Sequence, residues 1–338
     1  MGKYKIALIG CGWIGMGAKL DPLRPAPASH AEAIYTNDRL ELCGMMDTDI
    51  AANDLAKKLY PGVSVFTDID TLLKQTSPDA VVIATHPDTH CHYIELCSKA
   101  GVKLVLSEKP IAHDDISAQK VVEYCEKNGT ILLVNHMRRF NKMIGEFRNY
   151  INNEYVRDTA IGIPRVVTAS YDNGLYHGGT HIIDMLRFIL GEVIAVNAIK
   201  NHQVSSASDD IHVDAILQFT TCNVMLYYIN SRECAVCEIN IIGERGIIRF
   251  RDMWGCTIDV IGTVTNTDFV NHRIPDYSNA KSYLNNESMM LGTYQHIIEC
   301  LDGDTVPLCD GKDALETLKV IRAIQKSAEN EGIKIQLT

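Results

Sequence analysis

Residues 5–15 read Lys-Ile-Ala-Leu-Ile-Gly-Cys-Gly-Trp-Ile-Gly, so an unbroken apolar run enters Gly10, Gly12 and Gly15 near the start of the chain. A short run of this kind suits a strand covered on both faces. Glycines at this spacing then serve three ends. Gly10 allows a tight turn, Gly12 leaves bare backbone where a pyrophosphate approaches, and Gly15 lets a helix pack closely on the strand with its amino end toward the anion. Gly-x-Gly-x-x-Gly alone is a weak signature, but a strand leading into it makes it the opening of a dinucleotide-binding βαβ unit. Trp13 and Ile14 belong to the same loop and count among its cofactor contacts.

Strand-like and helix-like patterns alternate through the first third. Apolar runs at 42–46, 80–84, 104–106 and 131–134 are separated by segments such as 50–59 and 92–100 with helical spacing. Such alternation builds a parallel sheet with right-handed helical crossovers. Beyond Phe140 the pattern changes: 165–171, 212–219, 223–229, 238–242 and 246–250 read as longer, partly alternating strands of a mostly antiparallel sheet. Residues 224–228 carry apolar or aromatic side chains on both alternating sets, which points to a covered second face and a homodimer or homotetramer joined through this sheet. Helical patterns at 289–301 and 314–328 close the chain.

A chain of 338 residues exceeds one ordinary core. The expected fold is α/β: a Rossmann doubly wound parallel sheet over residues 1–125, then an α/β domain with a large, mostly antiparallel open sheet over 126–338. The last helices are expected to pack back on the first domain. A formal charge of −10 without a dense Lys/Arg tract argues against nucleic acid and against an anionic membrane surface. No apolar stretch reaches spanning length and no signal peptide precedes the glycines, so a cytoplasmic protein is expected. Eleven scattered cysteines fit reduced thiols. Cys234 and Cys237 form a Cys-x-x-Cys, but with no second pair they read as strand cysteines, and no metal is implied.

Residues 20–29 hold Pro22, Pro25 and Pro27, which cannot continue a helix. They form an excursion near the phosphate end, read as a passive loop in preference to a lid. It explains why Asp47 lies 32 residues after Gly15 instead of about 20. Asp47 closes the run 42–46, where a carboxylate accepts from the ribose hydroxyls of an adenine nucleotide and repels a 2′-phosphate. No Arg follows in Asp47-Thr48-Asp49, so NAD is favoured over NADP.

The run 104–106 leads through Ser107 into Glu108, Lys109 and Pro110, at the strand end where such sheets bind ligands. With the opening glycines, this Glu-Lys-Pro resembles the signature of the Gfo/Idh/MocA family, named for glucose-fructose oxidoreductase and inositol dehydrogenase. Further segments follow in order. Residues 85–90, Thr-His-Pro-Asp-Thr-His, resemble a Thr-Pro-x-x-x-His element with His86 in place of proline; Arg138-Arg139-Phe140 resembles an Arg-Phe element; 178–186 resemble the helix bearing a catalytic histidine; 311–315 resemble the closing helix.

The resemblance implies a two-domain NAD(H)-dependent oxidoreductase that exchanges hydride with a carbinol of a sugar, cyclitol or nucleotide sugar. Lys109 would stabilise the developing alkoxide and His181 would move the hydroxyl proton. Thr85, His86, His90, Glu108 and Lys109 would line the cofactor side, and His136, Arg138 and His177 would join Lys109 and His181 around the substrate. A structural ion pair is an equal alternative for His136 and Arg138. The Lys109–Pro110 peptide is expected to be cis. One departure stands out: His177 occupies the position where many relatives carry an aspartate, and Asp172 is a candidate replacement. His177, His181 and Asp184 also have helix-compatible spacing for a cation, a reading set aside because the implied chemistry needs none. Two rivals remain: an NAD-binding sensor without turnover, and NAD-dependent glycoside cleavage.

Overall fold

The computed structural model describes residues 2–152, 161–202, 210–252 and 256–337. The chain forms two compact units, Met1–Asn141 with Glu287–Leu318, and Lys142–Asn286 with Lys319–Thr338.

In the first unit, β1 (Tyr4–Ile9), β2 (Leu40–Met46), β3 (Val65–Phe66), β4 (Ala80–Ile83), β5 (Leu104–Ser107) and β6 (Ile131–Val134) form a sheet in the order β3-β2-β1-β4-β5-β6. Every pairing is parallel. The order reverses between β1 and β4, leaving a crevice at their carboxyl ends. Because β6 pairs with β5, the unit runs past the expected boundary at residue 125 to Asn141. The crossovers are α1 (His30–Tyr35), α2 (Ile50–Leu59), α3 (Ile69–Thr76), α4 (Pro87–Lys99) and α5 (Asp115–Asn128). Asp49, Asp68 and Asp114 accept amide hydrogens at the first turns of α2, α3 and α5, each cap contributing about 1 kcal/mol. The core joins Ile6, Leu8, Val82, Leu104 and Leu133 to Met290, Tyr294 and Ile297. These last three lie much later in the chain and belong to the same unit.

The first crossover departs from the continuous helix that the glycine motif predicts. A helical turn starts at Gly12, where the Met16 amide donates to the Gly12 carbonyl at 3.0 Å, and a 3-10 turn covers Gly17–Leu20. The chain then leaves the axis and returns at His30, whose amide donates to Ile14 O at 3.1 Å, followed by Ala31 to Gly15 O at 2.8 Å. In a continuous helix those carbonyls would serve residues 18 and 19. About twelve residues are thus spliced into one helix, and without them Asp47 falls at the usual spacing of about 20 from Gly15.

In the second unit, α6 (Lys142–Asn152), β7 (Pro164–Tyr171), α7 (Thr180–Leu190) and β8 (Val193–Asn201) come first. There follow β9 (Val213–Phe219), β10 (Asn223–Tyr228), β11 (Ile239–Gly243), β12 (Ile247–Arg251) and β13 (Thr257–Ile261). The small hairpin β14 (Thr263–Thr265) and β15 (Arg273–Pro275) precedes β16 (Lys281–Leu284). Later in the chain, α8 (Met289–Asp302) belongs to the first unit and supplies its three late core residues, α9 (Gly311–Glu329) has residues in both units, and β17 (Ile335–Gln336) belongs to the second. The nine-stranded sheet has the order β16-β13-β12-β11-β7-β10-β9-β8-β17, with β7–β10 parallel and its other pairings antiparallel. One face is core: Val213, Ala215, Leu217 and Phe219 of β9 are buried. On the other, Val166, Tyr227 and Ile242 are exposed in the single chain. Cys234 and Cys237 lie in the connection between β10 and β11, not in a strand, because the chain turns at residues 231–233 and β11 starts only at Ile239. Among the described residues no helix is long and apolar enough to cross a membrane.

Candidate active site

Register assembles the candidate residues of the first unit. Ile9, Ile83, Ser107 and Val134 stand side by side across β1, β4, β5 and β6. Past them the ladder continues, with the amides of Ala84, Glu108 and Asn135 donating to Ile9, Ile83 and Ser107 at 2.7, 2.8 and 2.8 Å. Gly10, Ala84, Glu108 and Asn135 therefore form one row along the carboxyl edge. Gly10 has φ +98°, and a Cβ there would lie 2.5 Å from the Ala84 carbonyl oxygen. A Cβ at Gly15 would lie 2.0 Å from Gly10 O, whereas at Gly12 it would meet nothing within 4 Å. Two glycines are thus demanded by the fold, and Gly12 keeps a bare surface beside Trp13, which is exposed, and Ile14.

Asp47 leaves β2 with its carboxylate already oriented. One oxygen accepts from the Cys11 amide at 2.7 Å and the other from Asp49 N at 2.9 Å, which leaves lone pairs for further donors. Burial, helped by the Asp47 charge, pushes the Cys11 thiol up to about 12, so it stays a neutral packing group. Thr85 and His86 lead into α4. The Thr89 hydroxyl sits 2.8 Å from both the Thr85 hydroxyl and the His86 carbonyl. His86 is exposed and lies 3.2 Å from Asp88. His90 is fully buried, with its ring nitrogens 2.8 Å from Pro110 O and 3.1 Å from Thr85 O. Burial holds its pKa below the usual value. Its imidazole braces the Thr85 loop against the Glu108-Lys109-Pro110 segment, whose Lys109–Pro110 peptide is cis.

Glu108 is buried beneath the row. Its Oε1 accepts from Asn135 Nδ2 at 2.6 Å and lies 2.9 Å from His30 Nε2, while Oε2 accepts from the Lys109 amide at 3.3 Å. Burial alone would raise the carboxyl pKa, but the hydrogen bond and charge of His30, the Lys109 ammonium and the Asn135 amide hold it at about 2. A permanent anion thus adjoins Lys109. His30 Nδ1 lies 2.8 Å from the Tyr294 hydroxyl, and Thr293 donates to Asn135 Oδ1 at 3.1 Å. His30, Asn135, Thr293 and Tyr294 were not anticipated from the sequence, since only the fold brings α1 and α8 beneath β5. His136 and Arg138 follow β6, and both are buried. The neighbouring Arg139 pairs with Asp313 at 3.0 Å and donates to Leu308 O at 3.3 Å.

The histidines of the second unit stand on a different support. A π turn, Leu175–Gly179, precedes α7, with Gly179 N donating to Gly174 O at 2.9 Å. His177 is exposed on this turn, His181 is half-buried in the first turn of α7, and Asp184 is buried. Asp210 holds the turn, its two carboxylate oxygens accepting from Tyr176 N and His177 N, both at 2.9 Å. Asp172 backs the same turn: a Cβ on Gly178 would lie 1.9 Å from Asp172 O and 2.9 Å from its Oδ1. Asp210 was missed, because a capping carboxylate 33 residues away has no local signature. A cavity of about 520 Å³ in this unit is walled by Phe147, Tyr150 and Tyr283, and no candidate site residue lines it.

Residues 4–136 match the family described as "Oxidoreductase family, NAD-binding Rossmann fold", and 173–337 match "Oxidoreductase family, C-terminal alpha/beta domain". The chain belongs to the Gfo/Idh/MocA oxidoreductase family. This Gfo/Idh/MocA chain is 25% identical to D-apiose dehydrogenase of Paraburkholderia graminis over 99% of its length and 90% of that protein's. It is 27% identical to inositol 2-dehydrogenase of Rhizobium meliloti, covering 76% and 78% of the two chains. Among solved structures it resembles the WlbA dehydrogenase of Bordetella pertussis, determined with NADH and UDP-GlcNAcA, with a TM-score of 0.75 at 22% identity over 99% of each chain. Its cofactor is NAD, and the residues present fit it. Gly12 offers the bare surface a pyrophosphate needs, and Asp47 the acceptor a ribose needs.

Proposed function

We propose that this oxidoreductase is an NAD(H)-dependent dehydrogenase of a sugar, cyclitol or nucleotide sugar, with Lys109 and His181 as its catalytic groups. The observation that carries the reading is the placement of Lys109. It follows the strand end beside the glycine row and adjoins the buried carboxylate of Glu108. NAD supplies the hydride acceptor or donor. Lys109 donates a hydrogen bond to the reacting oxygen and stabilises the alkoxide as charge develops. His181 takes or returns the hydroxyl proton, a task suited to an imidazole near neutral pH. His177, with an exposed ring one helical turn earlier, meets substrate hydroxyls. His136 and Arg138 complete the substrate side, and Trp13, Ile14, Thr85 and His86 the cofactor side, with His90 acting through the loop that it braces. Asp47 selects NAD over NADP.

The named relatives support polyhydroxylated substrates. The exposed Val166, Tyr227 and Ile242 support a homodimer or homotetramer through the large sheet, which sedimentation of the wild type and Tyr227→Glu would test. The function itself is tested by NADH absorbance over a panel of free sugars, inositols and nucleotide sugars. Reduction of NAD by one class, lowered about a thousandfold in Lys109→Ala with NADH affinity within about threefold, is the expected result. NADH binding without turnover on any member would favour the sensor reading. Release of an aglycone without net NADH would favour glycoside cleavage.

A further inference from the structure

We infer that His30 is a positioning residue for Lys109, acting through Glu108, and that the insertion in the first crossover sets its imidazole beneath the strand end that carries the lysine. The inference rests on the reading of Lys109 as the group that meets the reacting oxygen.

His30 is fully buried, 2.9 Å from Glu108 Oε1 on one side and 2.8 Å from the Tyr294 hydroxyl on the other. An ionised carboxylate only accepts, so His30 Nε2 carries the hydrogen it gives to Glu108. Asn135 donates to the same oxygen, and the Lys109 amide to the other, so three donors hold the carboxylate and one is the peptide N–H of the lysine itself. Fixing Glu108 therefore fixes the backbone of Lys109. Thr293 orients Asn135 in turn. A leucine at position 30 would fill the volume without donating. The carboxylate would then lose one of its three donors, and its hold on the Lys109 peptide N–H would loosen.

The test compares His30→Leu and His30→Gln with wild type on the substrate found by the panel, reading kcat, KM and the NADH dissociation constant. His30→Leu is expected to lose about ten- to hundredfold in kcat, with KM and NADH affinity within about threefold. His30→Gln, whose amide can donate to Glu108, is expected to recover to within about threefold of wild type. A wild-type kcat in His30→Leu, or a loss that the glutamine does not recover, overturns the inference while the dehydrogenase reading stands. Absence of wild-type turnover overturns both. Should His30→Leu fail to fold, Tyr294→Phe removes only the hydroxyl that orients the ring. A kcat loss of about three- to tenfold is then expected, and no loss overturns the inference. Nitrogen-15 NMR of labelled histidine gives a check independent of turnover. The His30 ring should carry a hydrogen on Nε2 and shift in Glu108→Gln, and a ring protonated on Nδ1 alone, or one indifferent to Glu108, overturns the proposed contact.

Discussion

The candidate residues of the two units are placed by different means. In the first unit, Gly10, Asp47, Thr85 and Lys109 all sit within two residues of a strand end, and the register of a parallel sheet lines those ends up. In the second, His177 and His181 ride on a π turn and the start of α7, held by Asp210 and backed by Asp172. A sheet edge is over-determined by many ladder hydrogen bonds, whereas the turn depends on a few side-chain contacts. Perturbations of the strand-end backbone in the first region should therefore act on stability and cofactor binding, and perturbations of the turn in the second on turnover.

The strongest test of the first half is Gly10→Ala. Positive φ and a clash at 2.5 Å with Ala84 O should cost about 3 kcal/mol in urea unfolding. Gly12→Ala, by contrast, meets open space and should leave stability within about 0.5 kcal/mol while weakening NAD binding at least about tenfold. Equal stability losses would mean that neither glycine faces a ligand. Glu108→Gln comes next. Its carboxyl is held at about 2 in the fold against 4.5 for the ordinary group, so its stabilisation is fully present above pH 4.5 and vanishes as pH falls through 2. Roughly 3 kcal/mol should be missing from the glutamine variant at pH 7, and the two unfolding curves should converge toward pH 2. Parallel curves would remove the anchored carboxylate.

Asp210→Ala probes the second region. Freeing the Tyr176 and His177 amides should lower kcat by about thirtyfold, near 2 kcal/mol, with NADH affinity unchanged by fluorescence titration. A loss of NADH affinity instead would erase the contrast between the regions. Asp47→Ala should show the mildest change, about 1 kcal/mol in NAD affinity with a gain in tolerance of NADP. Equal use of both cofactors by the parent protein would already sink that assignment.

Where a motif and its support lie together, the residues could be read directly. The run 6–9 with its glycines, and 104–106 with Glu108, Lys109 and Pro110, each hold a strand and the turn it feeds. The boundary expected at 125 cut off the run 131–134, although its pattern already counted it in the parallel sheet, and the pairing of β6 with β5 keeps it in the first unit. The strands β8 and β13 escaped notice because their burial alternates only in part, and β16 because it is exposed throughout. His30 follows the proline-rich stretch 20–29 in the chain, and only the hydrogen bonds of His30 and Ala31 to Ile14 and Gly15 expose it as the resumption of a helix.

The sequence alone determined a nucleotide-binding strand–turn, the carboxylate of Asp47 at the end of the second strand, and the lysine at a strand end, because each depends on neighbours along the chain. The tertiary structure alone decided that Glu108 is a buried anion, that His30 and Tyr294 stand behind it, and that Asp210 holds the turn of His177. Those contacts join residues 33 to 264 positions apart. Their geometry follows from packing and register, which local pattern does not encode.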